Sequence, residues 1–297
     1  MPIRAFVLLL PMTALWSLTS LPPLYVMICI ALSIFLFIKA HSLAIFYQRE
    51  PKRVTASQTA AWVLGWAGLN PADFFLAEPK SKSAFAFDQA VDMHAIAHAV
   101  AKILIGAGLL FFVAPRVKLE STLLAGWIGM AGIVLLLHCG MIHLSAVLWN
   151  ATGRPVAPIM NSPLLATTVS EFWGKRWNLA FRDYAHVTVF SPLVRKLGGT
   201  TAVIAGFVFS GLIHDLAISV PAQGGYGWPS LYFFLQAIGV MVERWLQKSG
   251  VSLGGKWTGW CWTLLWVVGP VMFLFHRPFV LNVILPLIDA VDSLTVS

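Results

Sequence analysis

Apolar positions run along most of this chain in stretches of about 20 residues with neither a polar face at helical spacing nor an alternating pattern. A membrane-spanning helix needs that length, because roughly 30 Å of hydrocarbon is covered at about 1.5 Å per residue. The pattern predicts spans near residues 5–20, 23–40, 95–114, 121–149 (one long or broken helix), 200–220, 228–247 and 257–276. Shorter apolar pieces stand at 59–69 and 278–290 and could change the parity of the crossings. Arg4 before an apolar run also suits a signal peptide. No small-residue cleavage site follows and the second span begins at once, so a retained helix is expected. With no internal repeat, low-complexity tract or interdomain linker, the expectation is an all-α, polytopic protein with 1–297 as a single membrane-embedded domain.

Composition sharpens that picture. Hydrophobic residues make up 58% of the 297 and charged residues 11%. A soluble domain has about 45–50% and about 25% of these. A soluble globule of mean hydropathy +0.79 would expose large apolar patches, so a soluble enzyme is excluded. The net charge of +8 suits nucleic acid in a soluble chain, but here it is the charge of loops beside spans, and no nucleic acid partner is expected.

The basic residues also predict an orientation. With the amino terminus cytoplasmic, Arg4, Lys39, Arg49, Lys52, Arg53, Lys80, Lys82, Arg154, Lys175, Arg176, Arg182, Arg195, Lys196, Arg244, Lys248 and Lys256 fall inside. Arg116, Lys118 and Arg277 fall outside, together with the charge-free loop at 221–229, and Lys102 lies within a span. Cys29, Cys139 and Cys261 all sit in apolar stretches and read as packing groups rather than a disulfide framework.

Ionisable groups at membrane depth are costly, which makes each one a functional candidate. His214 and Asp215 interrupt the apolar run FVFSGLIHDLAISV. His214 lies about 21 Å along the helix axis from the entry at Thr200. It reads either as a histidine bonded to a neighbouring helix or as a general base, since a buried neutral imidazole is ready to accept a proton. Asp215 is about 100° around the helix, and its role stays open.

A second concentration of chemistry is SEFWGKRWNLAFRD, residues 170–183. Trp173 and Trp177 recur at i and i+4, and Lys175, Arg176 and Arg182 offer phosphate contacts. An interfacial amphipathic helix with snorkelling bases fits the same pattern. Asn178 adds an amide that can donate a hydrogen bond to a carbonyl or oxyanion. His94 and His98, spaced i and i+4 behind Asp92, and the pair His138 and His143 make a metal site conceivable. Membrane di-iron enzymes use about eight histidines in dense HxxxH and HxxHH clusters, and this chain has eight in all with no HxxHH, so no metal is expected. Lys102 shares a helical face with His98 and reads as cavity lining or as a link between helices.

These residues carry a resemblance. FWGKRWN (172–178), RDYAHVTVFSPLVRKLGG (182–199), FSGLIHDL (209–216) and FFLQAIGVMVE (233–243) are together similar to the wax synthase branch of the membrane-bound O-acyltransferase superfamily. There a Phe-Trp-Gly-Arg-Arg-Trp-Asn signature precedes Ser-Gly-x-x-His-Glu, and a Phe-Phe run ending in Glu follows. Lys175 and Asp215 depart conservatively, and GWAGLNPADFF (65–75) resembles the family's upstream Pro-Gly segment with Ala67 in place of the Pro. The likeness is specific over about 160–245.

The resemblance implies about seven to nine transmembrane helices around an internal tunnel, and acyl transfer from acyl-CoA to a hydroxyl. His214 would be the base and Asn178 its essential partner, with Ser210, Asp215 and Glu243 in supporting or tunnel positions. Acyl-CoA would be a co-substrate rather than a bound cofactor, its phosphates meeting Lys175, Arg176 and Arg182 beside Trp173 and Trp177. A lipophilic alcohol, as in wax ester formation, would arrive from the membrane lipids. The acyl length and the alcohol are not fixed by sequence. The competing expectations are a transporter or lipid-handling protein without chemistry, and an O-acetyltransferase of another hydroxyl acceptor.

Overall fold

The computed structural model describes Trp16 and residues 20–50, 54–77, 92–251 and 256–296. The predicted span 5–20, apart from Trp16 and Ser20, lies outside the described residues, as do Arg4, Lys52, Arg53, Lys80 and Lys82 of the orientation count. Among the described residues every regular element is helical. In chain order the elements used below are α1 (Pro23–Arg49), α2 (Ala56–Gly65), α3 (Pro71–Phe75), α4 (Met93–Lys118), α5 (Thr122–Ala151), α6 (Val169–Glu171), α7 (Leu179–Ala222), α8 (Trp228–Lys248), α9 (Lys256–Leu274) and α10 (Leu285–Val296).

Five of these, α1, α4, α5, α7 and α9, are long and apolar enough to cross a membrane. On α1, Ile30, Ile34 and Ile38 are buried while Tyr25, Ile28, Leu32 and Leu36 are exposed, as expected of a helix with a protein side and a lipid side. Helix α8, read from the sequence as a span, has 21 residues, but Gln236, Glu243 and Arg244 leave it outside that apolar group. Helix α7 runs for 44 residues and is broken at Gly198. Its length corresponds to about 66 Å of helix, roughly twice a bilayer core. At Gly198 φ is 80° and ψ 167°. That conformation is open to glycine and costly for other residues. The predicted span 200–220 is the second half of α7. The first half was hidden in the sequence by Arg182, Asp183, Arg195 and Lys196.

The chain divides into two compact units, one of residues 1–34 and 161–290, the other of 35–160 and 291–297. In the second unit the segment 65–75 forms a dense knot. Lys39, counted above among the loop charges, is instead buried within α1. Its ammonium donates to the carbonyls of Trp62, Trp66 and Gly68 at 2.8, 2.8 and 2.7 Å. Those carbonyls replace the water it gives up. Trp149 donates to Gly65 O at 2.8 Å and Arg154 to Phe74 O at 2.6 Å, so the knot is tied to α5 and to the chain beyond it. Lys102 of α4 donates to His143 Nδ1 of α5 at 3.2 Å. This is a polar link between two apolar helices. The three cysteines are free.

Candidate active site

The first unit holds both sequence signatures. Thr168 opens α6 by accepting from Glu171 N–H, and Glu171 in turn accepts from the Thr167 N–H and hydroxyl. The next five residues, Phe172–Arg176, make one wide turn closed by Trp177 N–H donating to Phe172 O. This turn breaks the α-helical relation expected between Trp173 and Trp177. Phe172 stacks on Trp177 with ring centroids 5.5 Å apart, and Trp173 donates from Nε1 to Gln236 Oε1 at 3.1 Å. Gln236 is fully buried and donates onward to Trp266 O, which fixes the indole.

Asn178 then takes the left-handed conformation, φ 41° and ψ 57°. Among residues with a side chain, Asn adopts it most readily. Its Oδ1 accepts from Phe181 N–H at 3.2 Å and so starts α7. With the oxygen serving as the helix cap, the donors of the amide are those of its side-chain NH₂. Arg176, expected to meet phosphate, forms an ion pair with Glu171 at 2.7 Å and donates to the carbonyls of Asn161 and Ser162. Partial burial works against ionising Glu171, but the Thr167 donors and the Arg176 guanidinium outweigh it and hold its carboxyl below the usual range.

His214 is half-buried on the second half of α7. Its Nδ1 lies 2.7 Å from Ser210 O. Since a carbonyl can only accept, Nδ1 carries a proton, and in the neutral ring the lone pair is on Nε2. The Ser210 hydroxyl is committed to Gly206 O. One turn before His214, Gly211 touches α8: a Cβ there would stand 2.6 Å from Ser230 Cα, which is the packing reason for glycine in this signature.

The two signatures are tied together by α8. It starts at Gly227, which has no side chain to cap the helix. Asp215 supplies the cap from α7 by accepting from Gly227 N–H, Ser230 N–H and the Ser230 hydroxyl. Asp215 also accepts from Ser219. Towards the other end of α8, Glu243 is 1% exposed and accepts from the N–H groups of Val169 and Ser170, the Ser170 hydroxyl and Trp262 Nε1. A carboxylate from α8 therefore anchors the chain entering the FWGKRWN turn. A carboxylate beside His214 anchors α8 in return.

Between these elements lies a partly open cavity of about 250 Å³. Of the residues singled out from the sequence, Trp173, Trp177, Asn178, Arg182, Ser210 and His214 line it. Lys175, Arg176, Asp215 and Glu243 do not. Arg182 donates to Gly174 O and pairs with Asp183 at 2.8 Å. Phe181, Phe207 and Phe233 supply apolar wall, Phe233 with its centroid 4.5 Å from the His214 ring. Sequence reasoning missed His186 and Arg244, which also line the cavity, and Gln236, whose place in the apolar run of α8 was a legible signal.

Residues 156–236 match the model of the membrane bound O-acyl transferase family. Among relatives, the long-chain-alcohol O-fatty-acyltransferase of Simmondsia chinensis is 32% identical over 115 residues, 35% of this chain and 33% of the relative. The probable long-chain-alcohol O-fatty-acyltransferase 1 of Arabidopsis thaliana is 29% identical over 147 residues, 41% and 43% of the two chains. An acyl-CoA–sterol O-acyltransferase 1 of the same plant is 32% identical over 108 residues, 34% and 30%. The chain thus spans less than half the length of each of these relatives. The stretch that is similar to the membrane bound O-acyl transferase family includes the turn bearing Asn178, the helix bearing His214 and the first part of α8.

Proposed function

We propose that this protein transfers an acyl group from acyl-CoA to the hydroxyl of a lipophilic alcohol, as wax synthases do, with His214 as general base. The observation that carries the reading is that Asn178 and His214, on different halves of the signature region, line one cavity whose other walls are largely apolar. The tautomer set by Ser210 O directs the lone pair of Nε2 to the task of a base. In the proposed reaction the alcohol oxygen attacks the thioester carbonyl while Nε2 takes the hydroxyl proton. The carbon–sulfur bond breaks as the ester forms, and the imidazolium returns its proton to the departing thiolate. Asn178 donates an amide N–H to the carbonyl oxygen as it gains charge, a contribution that typically amounts to about 10²–10³ in rate. The five apolar helices suit an acceptor dissolved in lipid, and the basic-residue bias suits an amino terminus and a donor entrance on the cytoplasmic side.

The test is ester formation from a panel of acyl-CoAs with fatty alcohols and sterols, read by mass spectrometry together with acceptor-dependent release of free CoA thiol. The purified parent should make esters, and His214→Ala, still folded by thermal unfolding in detergent, should make none. Parent-rate esterification by that variant refutes the assignment of the base. A parent that binds lipid yet releases no thiol with any acceptor points instead to a lipid-handling protein.

A further inference from the structure

The expected phosphate contacts do not all reach the cavity. Arg176 is occupied by Glu171 and two carbonyls, Lys175 is not part of the lining, and Arg182 is partly neutralised by Asp183. Two other groups stand where those were expected. Arg244 is an exposed guanidinium lining the cavity, and among the described residues it has no ion-pair partner. Its place on α8 is set by its neighbour Glu243, whose four accepted hydrogen bonds fix the register of the helix at this point. His186 lines the same cavity from α7, also exposed, one turn after Arg182. Its ring lies 5.0 Å from that of Phe190, and its Nδ1 is 3.4 Å from the Ser191 hydroxyl, so Nε2 is the nitrogen that meets a ligand.

Resting on the acyl-CoA reading of this site, we infer that Arg244 and His186 form the anion subsite of the cavity and hold the phosphate-bearing part of the thioester carrier. The exposure of both groups places them at the rim of the cavity, while the Trp173, Phe207 and Phe233 walls and the half-buried His214 lie further in. A carrier that is charged at one end and apolar at the other has one orientation in such a cavity: phosphates towards Arg244 and His186, acyl chain towards the aromatic walls. A guanidinium without a counter-ion gains most from a phosphate, because bidentate charge-assisted bonds replace only water. Glu243 thereby acquires a second consequence, since the helix register that anchors the FWGKRWN turn also aims Arg244.

The experiment compares two donors with one thioester. Decanoyl-CoA carries the phosphates, and S-decanoyl-pantetheine carries none. For Arg244→Glu and Arg244→Gln the ratio of kcat/KM for decanoyl-CoA to that for the pantetheine donor should fall about tenfold or more, with the larger fall for the charge reversal. His186→Gln should lower the ratio in the same direction by a smaller factor. Lys248→Glu, a charge reversal on the same helix outside the cavity lining, should leave it within about twofold. Adenosine 3′,5′-bisphosphate should compete with decanoyl-CoA in the parent and more weakly in the Arg244 variants, and its binding can be measured directly by calorimetry even if turnover is low. If the parent uses both donors and the Arg244 variants keep both the ratio and the bisphosphate affinity, the subsite is refuted and the acyl transfer stands. If the parent uses neither these donors nor any acyl-CoA of the panel, the acyl-transfer reading fails and the subsite falls with it.

Discussion

Removing the Glu243 carboxylate should loosen the FWGKRWN turn from below. The carboxylate serves four donors: the N–H groups of Val169 and Ser170, the Ser170 hydroxyl and Trp262 Nε1. In Glu243→Gln the remaining oxygen can still serve Val169 and Trp262, and the new NH₂ can meet the Ser170 hydroxyl oxygen. Only Ser170 N–H loses its acceptor. Ser170 is exposed, so that group rehydrates. The variant then costs about 1.5–3 kcal/mol for one bond to a charged acceptor. Glu243→Ala strands the buried Val169 N–H and the half-buried Trp262 Nε1–H as well, at about 1–3 kcal/mol each, for a total of about 4–9 kcal/mol. A loss of that size leaves Trp173, Trp177 and Asn178 without a fixed height in the cavity. Thermal unfolding in detergent should rank the proteins parent, Gln variant, Ala variant, and ester formation should fall about 10²-fold or more in the Ala variant, since small misplacements cost that much. An Ala variant that unfolds within about 1 °C of the Gln variant and matches its turnover refutes the anchoring argument.

Three further outcomes follow from the same geometry. Asn178→Asp keeps the helix cap and the left-handed conformation but has no amide donor, so turnover should fall about 10²–10³ with little change in melting, whereas Asn178→Ala should lose both; an Asp variant at the parent rate removes the donor role. Gly211→Ala forces α7 away from Ser230 of α8 beside His214, so melting temperature and turnover should drop together, and unchanged values would show that α8 yields. Glu171 has its carboxyl held below the unfolded value. Its stabilisation is therefore present above about pH 5 and is lost as pH falls through the folded value. The melting deficit of Glu171→Gln against the parent should accordingly shrink between about pH 5 and about pH 3, and a constant deficit contradicts the ion-pair reading of Arg176.

The apolar runs were legible because a lipid-facing helix has to be apolar along a whole bilayer thickness, and α1, α4, α5 and α9 match their predicted spans within their flanks. His214 was legible for the converse reason, a titratable group in such a run. Less legible were positions whose roles depend on a distant partner. Lys39 looks like a flanking charge until three carbonyls of the 62–68 segment surround it. Arg176 looks like a phosphate ligand until Glu171 claims it, and the spacing of Trp173 and Trp177 implied a shared helical face that the wide turn at Phe172–Arg176 removes.

By itself the sequence determined the all-helical class with its long apolar helices and singled out an imidazole in an apolar run as a candidate, because hydropathy and the cost of polar groups in lipid act locally along the chain. Tertiary structure decided that Asn178 and His214 share a cavity, that Asp215 and Glu243 anchor α8 and the signature turn rather than line that cavity, and that Arg244 reaches it while Arg176 does not. Those are matters of which helix lies beside which, and hydrogen bonds between residues far apart in sequence leave no periodic trace in it.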